Sequence, residues 1–264
     1  MPPLFLELMS TTKKTALITG ASAGIGAACA EIFDKNNYNL VLLARRTEKL
    51  DQVKTELESK YGVAIFSYTL DVRNQNEIES FINNLPSEFS NLNVLVNNAG
   101  LAAGLSTLEN GSIDHWDRMI DTNIKGLIMM SKACIPLLKT QENPHIINIG
   151  SIAGKEVYMN GNVYCATKHA VDALTQSMRL ELSEYPIKVT GVHPGAVETE
   201  FSIVRFDGDE NRAGQVYQGY DNLLAEDIAE AVFWAVSRPS RVNINDLVIM
   251  PTAQPRAGVI HRKS

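Results

Sequence analysis

The chain has 264 residues, of which 45% are hydrophobic and 20% are charged, and its net charge is −6 at pH 7. These values are typical of a soluble globular protein, and the acidic balance argues against nucleic acid as a partner. No apolar run is long enough to cross a membrane. The three scattered cysteines fit neither a disulfide framework nor a metal site, which indicates a reducing, cytoplasmic location.

Strand-like and helix-like patterns alternate from one end of the chain to the other. The predicted strands are residues 15–19, 40–44, 64–70, 92–96, 145–149, 188–193 and 246–250. The predicted helices are residues 25–35, 47–61, 77–85, 113–139, a segment from Tyr164 to about 182, and 225–237. This alternation predicts an α/β fold of the Rossmann type, a doubly wound parallel sheet of seven strands in a single domain.

The sequence divides into an arm, a domain and a tail, and one long stretch of the domain has no predicted element. Residues 1–12 are apolar but interrupted by Glu7, which predicts an N-terminal arm rather than a signal peptide. Residues 13–254 are expected to form the domain, and the basic residues 255–264 a C-terminal tail. The longest stretch without a predicted element, 195–222, indicates a lid over a site at about residues 196–222.

A glycine-rich turn, residues 19–26, separates the first predicted strand from the first predicted helix. In this context glycines let the backbone approach a pyrophosphate, and the helix N-terminus favours negative charge. A tight turn without a ligand is the alternative, but the position after the first strand favours a dinucleotide site. The cofactor contacts predicted in this turn are Gly20, Ser22, Gly24, Ile25 and Gly26.

The end of the second predicted strand discriminates between the two nicotinamide cofactors. An acidic residue there would bind the adenosine ribose hydroxyls and favour NAD. This chain has Arg45 and Arg46 instead, and the first acid that follows is Glu48. Two guanidinium groups suit a 2′-phosphate, so the sequence predicts NADP(H). The alternative is that one or both arginines lie at the start of a helix without binding a phosphate.

Further cofactor contacts are predicted at the ends of the third and fourth strands. Asp71, followed by Val72, offers a carboxylate that could accept a hydrogen bond from the adenine amino group. Asn98, Ala99 and Gly100 are small residues that allow the cofactor to lie close to the backbone. All these segments follow strand carboxyl ends, where open α/β sheets bind ligands.

Tyr164 and Lys168 are four residues apart, so on a helix they share one face. A phenol beside a fixed ammonium can serve as an acid–base catalyst, because the positive charge lowers the phenol pKa from its usual value near ~10. The hydroxyl of Ser151 could hold a substrate oxygen against this phenol. Alone, such a pair is more often a solvated helix face, and Ser151 alone is more often a loop hydroxyl that caps Ala153.

Together these motifs resemble the short-chain dehydrogenase/reductase family. The resemblance covers about residues 13–250 and rests on Thr19-Gly-x-x-x-Gly-x-Gly26, Asp71, Asn97-Asn-Ala-Gly100, Asn123, Ser151, Tyr164-x-x-x-Lys168 and Pro194-Gly195. It implies that Asn123, Ser151, Tyr164 and Lys168 form a catalytic tetrad. It also implies cofactor contacts at Pro194, Gly195, Val197, Thr199, Tyr164 and Lys168.

The resemblance also implies a role for each member of the tetrad. Tyr164 is the general acid or base, and Ser151 polarises the carbonyl group of the substrate. Lys168 holds the nicotinamide ribose and lowers the pKa of Tyr164. Asn123 holds a water molecule in a proton relay, which fits a polar residue that bends a long helix locally.

A closer resemblance is to the NADP-dependent 3-hydroxy acid dehydrogenases, which also act on serine and allo-threonine. It rests on residues 44–50, 150–154, 194–206 and 251–254, whereas the loop at 101–110 departs from the pattern. It implies a homotetramer that transfers hydride between NADP(H) and a small-molecule substrate, a short 3-hydroxy acid. The alternative is a broad-specificity ketone or diketone reductase with the same catalytic groups.

One further substrate contact is predicted in the lid. Arg205 would bring a guanidinium to the substrate beside Ser151 and Tyr164, where it could clamp a carboxylate. The alternative is a solvent-exposed loop arginine without a role in binding.

Overall fold

The structure, a computed structural model, describes residues 13–263, so the predicted N-terminal arm lies outside the described residues. The strands are β1 (Thr15–Thr19), β2 (Asn39–Ala44), β3 (Ile65–Thr69), β4 (Leu92–Asn97), β5 (His145–Ile149), β6 (Lys188–Pro194) and β7 (Asp246–Ile249). They form one parallel sheet in the order β3-β2-β1-β4-β5-β6-β7. The predicted seven-stranded, doubly wound α/β fold is confirmed.

Helices connect the strands. They are α1 (Gly24–Lys35), α2 (Thr47–Lys60), α3 (Gln75–Asn83), α4 (Ile113–Ile120), α5 (Leu127–Leu138), α6 (Asn162–Glu181), α7 (Phe201–Arg205), α8 (Glu210–Val216) and α9 (Ala225–Val236). Across residues 13–263, no helix combines the length and the apolar character that crossing a membrane requires.

Two regions differ from the predicted elements. The predicted helix at 113–139 is interrupted between α4 and α5 by a π-helical turn, Asp121–Gly126. The stretch 195–222, expected to lack structure, contains the short helices α7 and α8. Helices of five and seven residues are too short to show a helical repeat of apolar residues, which explains why the sequence pattern missed them.

Both faces of the sheet are buried from β1 to β6, and these six strands contribute to two separate cores, whereas β7 at the edge packs only against one of them. In β1, Ala16 and Ile18 join the core that includes α1 and α9, whereas Leu17 joins the core on the other face with α3, α5 and α6. Successive side chains of a strand point to opposite faces, so a continuous apolar run fills both cores at once.

A buried chain of polar side chains ties the central strands to the two helices on one face. Asn97, the last residue of β4, donates hydrogen bonds from Nδ2 to Ser131 Oγ and to Asn148 Oδ1, both at 2.9 Å. Asn148 in β5 donates in turn to Thr175 Oγ1 of α6 at 2.9 Å. Because an unpaired buried amide is costly, this network fixes how α6, which carries Tyr164, sits on the sheet.

Asp34 near the end of α1 is a buried acid without a partner. Its side chain is 1% exposed, and neither carboxylate oxygen makes a hydrogen bond within residues 13–263. Burial, and secondarily the nearby Glu31, raises the pKa of Asp34 from its ordinary 3.8 to about 6. The folded protein therefore binds this proton more tightly than the unfolded chain does.

Replacement Asp34→Asn should stabilise the protein at neutral and alkaline pH. The contribution of Asp34 is fully present below pH 3.8 and is lost as the pH rises through about 6, so the variant should gain about 1–3 kcal/mol in unfolding free energy above that range. Urea denaturation of both proteins at acidic and at alkaline pH measures the gain. An equal difference at the two pH values would contradict the role of the carboxylate.

Candidate active site and cofactor cleft

A cleft of about 330 Å³ opens at the carboxyl ends of β1 and β4, where the strand order reverses. Loops diverge at such a switch point and leave room for a ligand. Most of the predicted cofactor and catalytic residues line it: Gly20, Ser22, Gly24, Ile25, Arg45, Arg46, Asp71, Val72, Asn98, Ala99, Gly100, Ser151, Tyr164, Lys168, Pro194, Gly195, Val197 and Thr199. Gly26, Asn123 and Arg205 lie outside its lining.

Several lining residues were not predicted. They are Ala23, Leu43, Ala44, Leu70, Leu101, Thr122, Ile149, Gly150, Glu200, Phe201 and Val204. The first eight lie within two residues of a predicted site residue, so proximity in sequence could have indicated them. The other three belong to the first turns of the lid, and no sequence signal indicates which side of α7 faces the cleft.

The glycine-rich turn has a backbone that only glycine accommodates. Gly20 and Gly24 have φ values of +67° and +53°, in the left-handed region. A Cβ on Gly26 would lie 2.3 Å from the carbonyl oxygen of Gly20. Asn98 joins this turn to the end of β4, donating from Nδ2 to the carbonyl oxygens of Thr19 at 2.9 Å and Gly20 at 3.2 Å. This cradle of backbone at the start of α1 fits a pyrophosphate.

A group of cations stands at the adenosine end of the cleft. Arg46 donates from Nη2 to Ser22 Oγ at 3.2 Å, and its Nη1 lies 2.8 Å from Glu200 Oε2. Lys49, one turn further along α2, pairs with the same carboxylate. Guanidinium, ammonium and hydroxyl groups form a donor set that suits the 2′-phosphate of NADP(H). Arg45, Arg46 and Ser22 are among the predicted cofactor contacts, whereas Lys49 and Glu200 are not.

The carboxylate of Asp71 already has a partner within the protein, the side chain of Arg73. Arg73 donates to its carboxylate from Nε at 3.0 Å and from Nη2 at 2.6 Å. Burial alone would raise the pKa of Asp71, but the hydrogen bonds and charge of Arg73 outweigh it and lower the pKa. The carboxylate is thus ionised and oriented at the edge of the cleft, and its contact with adenine stays a prediction.

The π-helical turn places Asn123 where it braces the loop after β4. Asn123 is 2% exposed, and its Oδ1 accepts from the backbone nitrogen of Leu101 while its Nδ2 donates to the Leu101 carbonyl, both at 2.8 Å. Nδ2 also donates to Thr167 Oγ1 of α6 at 3.1 Å. Such turns are rare overall, and those that occur are frequently found at functional sites. The helix therefore departs from regular α-helical geometry at Asn123, and the hydrogen bonds of Asn123 join the loop after β4 to α6.

Ser151, Tyr164 and Lys168 meet at the nicotinamide end of the cleft. Ser151 begins a short 3₁₀ turn, and its Oγ accepts a hydrogen bond from the backbone of Ala153 at 3.1 Å. This hydrogen bond is the capping contact expected of a loop hydroxyl. Ser151 also lines the cleft, so the contact does not exclude a catalytic role. Lys168 donates from Nζ to the carbonyl oxygen of Ile149 at 2.9 Å. Burial lowers the pKa of this ammonium to about 8.

The expected lowering of the Tyr164 pKa is wrong for this structure. The ring is 8% exposed, and burial raises the pKa of its phenol well above the ordinary value of 10. The neighbouring Tyr158 adds to the increase, while a hydrogen bond with Ser151 and the charge of Arg205 only partly oppose it. Lys168, whose ammonium donates to the Ile149 carbonyl, is not among the groups that shift this pKa.

Arg205 is neither in the main cleft nor a free loop arginine. It donates from Nε to the Gly104 carbonyl at 3.2 Å and from Nη2 to the Tyr158 hydroxyl at 2.9 Å. Its guanidinium carbon lies 5.7 Å from the centre of the Tyr164 ring. Arg205 lines a small cavity of about 10 Å³ that adjoins Tyr164. Such a cavity holds about one water molecule, so the present arrangement of this wall leaves no room for a substrate carboxylate beside Arg205.

Comparison with protein families decides the assignment that these motifs suggested. The model of the family described as short chain dehydrogenase matches residues 14–209. The chain belongs to this family. The predicted resemblance is therefore confirmed, and with it the status of the protein as an oxidoreductase.

Individual members of the short-chain dehydrogenase family match nearly the whole chain. The NADP-dependent 3-hydroxy acid dehydrogenase of Schizosaccharomyces pombe is 43% identical, over 95% of this chain and 97% of its own length. Sulfoacetaldehyde reductase 2 of Chromohalobacter salexigens is 40% identical, over 90% of this chain and 94% of its own. The closed form of a serine dehydrogenase complexed with NADP+ superimposes with a TM-score of 0.88 at 42% identity, covering 94% of this chain and all of the other.

The phenol of this short-chain dehydrogenase should titrate at higher pH than a free tyrosine. Burial raises the pKa of Tyr164, so its phenolate absorbance should develop only above the usual value of about 10. The difference between absorbance titrations of the wild-type protein and Tyr164→Phe isolates this one phenol. Phenolate that forms below the usual value would contradict the prediction and restore the expected effect of Lys168.

Proposed function

We propose that this chain is an NADP(H)-dependent oxidoreductase that transfers a hydride between the nicotinamide and a short 3-hydroxy acid, including L-serine or allo-threonine. The observation that carries the proposal is the near-full-length likeness to a 3-hydroxy acid dehydrogenase and to an NADP+-bound serine dehydrogenase. The cations beside Ser22 support the same cofactor independently. These relatives favour the hydroxy acid over the alternative of a general ketone or diketone reductase.

The bound cofactor supplies the hydride, and the chain's own residues control the proton. In reduction, the protonated phenol of Tyr164 donates its proton to the carbonyl oxygen, and the hydroxyl of Ser151 donates a hydrogen bond to the same atom. In oxidation, the Tyr164 phenolate accepts the proton of the substrate alcohol. Burial disfavours the phenolate further, so the protonated phenol is the form present at neutral pH before a substrate binds.

Lys168 and Asn123 act behind this reacting pair. A Cβ on Gly100 would lie 3.3 Å from Asn123 Oδ1 and 3.5 Å from Lys168 Nζ, so both polar groups border the space that this glycine leaves open. That arrangement supports the roles expected from the family, with Lys168 at the nicotinamide ribose and Asn123 beside a proton relay. The hydrogen bonds of Asn123 to Leu101 add a positioning role.

Arg205 supplies the specificity for an anionic substrate. Its guanidinium is held beside the catalytic phenol by Gly104 and Tyr158, and it brings a positive charge to that wall of the site. A carboxylate admitted by a rearrangement of this wall would exchange the neutral Tyr158 hydroxyl for a charge-assisted pair, which is the stronger contact. A sulfonate would bind in the same way, and one relative is named for a sulfonated aldehyde.

The protein acts as a homotetramer in the cytoplasm. Large apolar side chains remain exposed on α6, α9 and β7, including Leu180 at 77%, Trp234 and Val248. Burial of these side chains between subunits would remove them from water. The three cysteines are unpaired and buried, as expected in a reducing compartment.

The first experiment follows NADPH oxidation and NADP+ reduction by absorbance with purified protein. L-serine, allo-threonine and 3-hydroxypropionate should reduce NADP+ and not NAD+, and Tyr164→Phe should lower kcat by about 10²–10⁴-fold. Retained binding of NADP+ by the variant would show that the loss is chemical. Turnover of a simple diketone without turnover of the hydroxy acids would overturn the substrate assignment and support a general carbonyl reductase.

A second experiment tests the anion clamp through Arg205→Ala. The variant should raise KM for 3-hydroxypropionate by about 10–100-fold, the value of a hydrogen bond to a charged group, and leave KM for an uncharged diketone unchanged. Arg205→Lys should retain part of the preference. Arg212→Ala is the matched control, because Arg212 lies on α8 of the same lid and stacks on Phe206 away from the phenol. Equal losses with charged and uncharged substrates would assign Arg205 to lid structure alone.

A further inference from the structure

A carboxylate of the lid reaches across the cleft to the cations at its adenosine end. Glu200 directly precedes α7, whereas Arg46 and Lys49 lie at the start of α2, about 150 residues away in sequence. Glu200 Oε2 lies 2.8 Å from Arg46 Nη1, and Oε1 pairs with Lys49 Nζ. Hydrogen bonds from Lys49 and Arg46 lower the pKa of Glu200, so the group is ionised at neutral pH.

Arg46 has two terminal nitrogens, and they face different parts of the molecule. Nη1 faces Glu200 of the lid, and Nη2 donates to Ser22 of the glycine-rich turn at 3.2 Å. A phosphate on the Ser22 side can accept from Nη2 while Nη1 keeps its contact with Glu200. One guanidinium can therefore hold the cofactor and the lid at the same time, because its donors point in fixed and separate directions.

The charges of this group leave room for a dianion. Arg46 and Lys49 carry two positive charges, Glu200 carries one negative charge, and Arg45 adds a third positive charge to the lining of the same cleft. A phosphate monoester carries a charge of about −2. Glu200 thus does not neutralise the positive charge of the site. A 2′-phosphate would balance the positive charge that remains, and it would not have to compete with Glu200 for a single cation.

We propose that Glu200 is a positioning residue that couples closure of the lid to recognition of the 2′-phosphate through Arg46. The inference rests on the proposed use of NADP(H). A phosphate that binds Nη2 of Arg46 orients the guanidinium so that Nη1 faces Glu200. The closed lid, through Glu200, in turn orients the Arg46 guanidinium toward the phosphate. NAD(H) lacks this phosphate and leaves the guanidinium less ordered. Because such coupling is reciprocal, loss of Glu200 must weaken the discrimination between the two cofactors.

The test compares Glu200→Gln with the matched control Glu198→Gln. Glu198 lies two residues away in the same segment, is exposed, and pairs with Asn222 rather than with the cations. Isothermal titration with NADP+ and NAD+ should show that Glu200→Gln weakens NADP+ binding about 2–5-fold, the range of an exposed ion pair, and changes NAD+ binding much less. Glu198→Gln should leave both affinities unchanged.

Limited proteolysis provides a readout that does not depend on turnover. Trypsin should cleave the wild-type lid at Arg212, which is exposed on α8, and NADP+ should slow that cleavage several-fold more than NAD+ does. Glu200→Gln should remove this difference between the cofactors, whereas Glu198→Gln should keep it.

Three outcomes would overturn the inference. Tighter NADP+ binding by Glu200→Gln would show that the carboxylate competes with the phosphate. Equal effects on NADP+ and NAD+ would show a lid tether that is independent of the phosphate, and no effect would show a surface ion pair only. Wild-type protein that binds NAD+ as tightly as NADP+ would instead overturn the cofactor assignment itself, and the inference with it.

Discussion

The parallel pairing of β1 with β4 is the constraint on which the rest of the structure depends. The chain builds the sheet outward in both directions from this pair, so the loops after the two strands diverge and leave a cleft. The Thr19 hydroxyl joins the two strand ends at the base of this cleft, because it accepts hydrogen bonds from the backbone nitrogens of Asn98 at 3.0 Å and Ala99 at 2.9 Å. The glycine-rich turn and residues 98–100 take their positions from these two strand ends.

Burial determines the chemistry at the other end of the cleft. The phenol of Tyr164 and the ammonium of Lys168 are both nearly inaccessible to water, and burial opposes the charged form of each. The protonated phenol is the acid that carbonyl reduction requires. The ammonium, with a pKa of about 8, is the more easily titrated member of the pair at physiological pH. Proximity of two residues on one helix face therefore does not by itself predict which way a pKa moves.

The lid is anchored at several points along its length rather than at a single hinge. Its start contacts Arg46 and Lys49 through Glu200, and Arg205 exchanges hydrogen bonds with Gly104. At its far end, the backbone nitrogen of Lys263 in the C-terminal tail donates to the carbonyl oxygen of Gly219 at 2.7 Å. Each contact is polar and partly exposed, so each can break and reform, which suits a segment that must admit and release ligands.

The order of strands and helices could be predicted from the sequence almost completely, because each element has its own period of apolar residues. The cofactor motifs could be predicted as well, since a turn that only glycine accommodates and a pair of arginines after a strand are local features. The helices of the lid could not be predicted, because five residues are too few for a helical repeat.

The sequence by itself determined the fold, the family and the residue types that meet in the cleft. Only the tertiary structure decided the contacts between segments distant in sequence: Glu200 against Arg46, Arg205 beside Tyr164, and Asn123 on Leu101. It also reversed the expected shift in the pKa of Tyr164, because burial is a property of the packed molecule. Such contacts depend on how helices and loops pack on the sheet, and no local pattern records that packing.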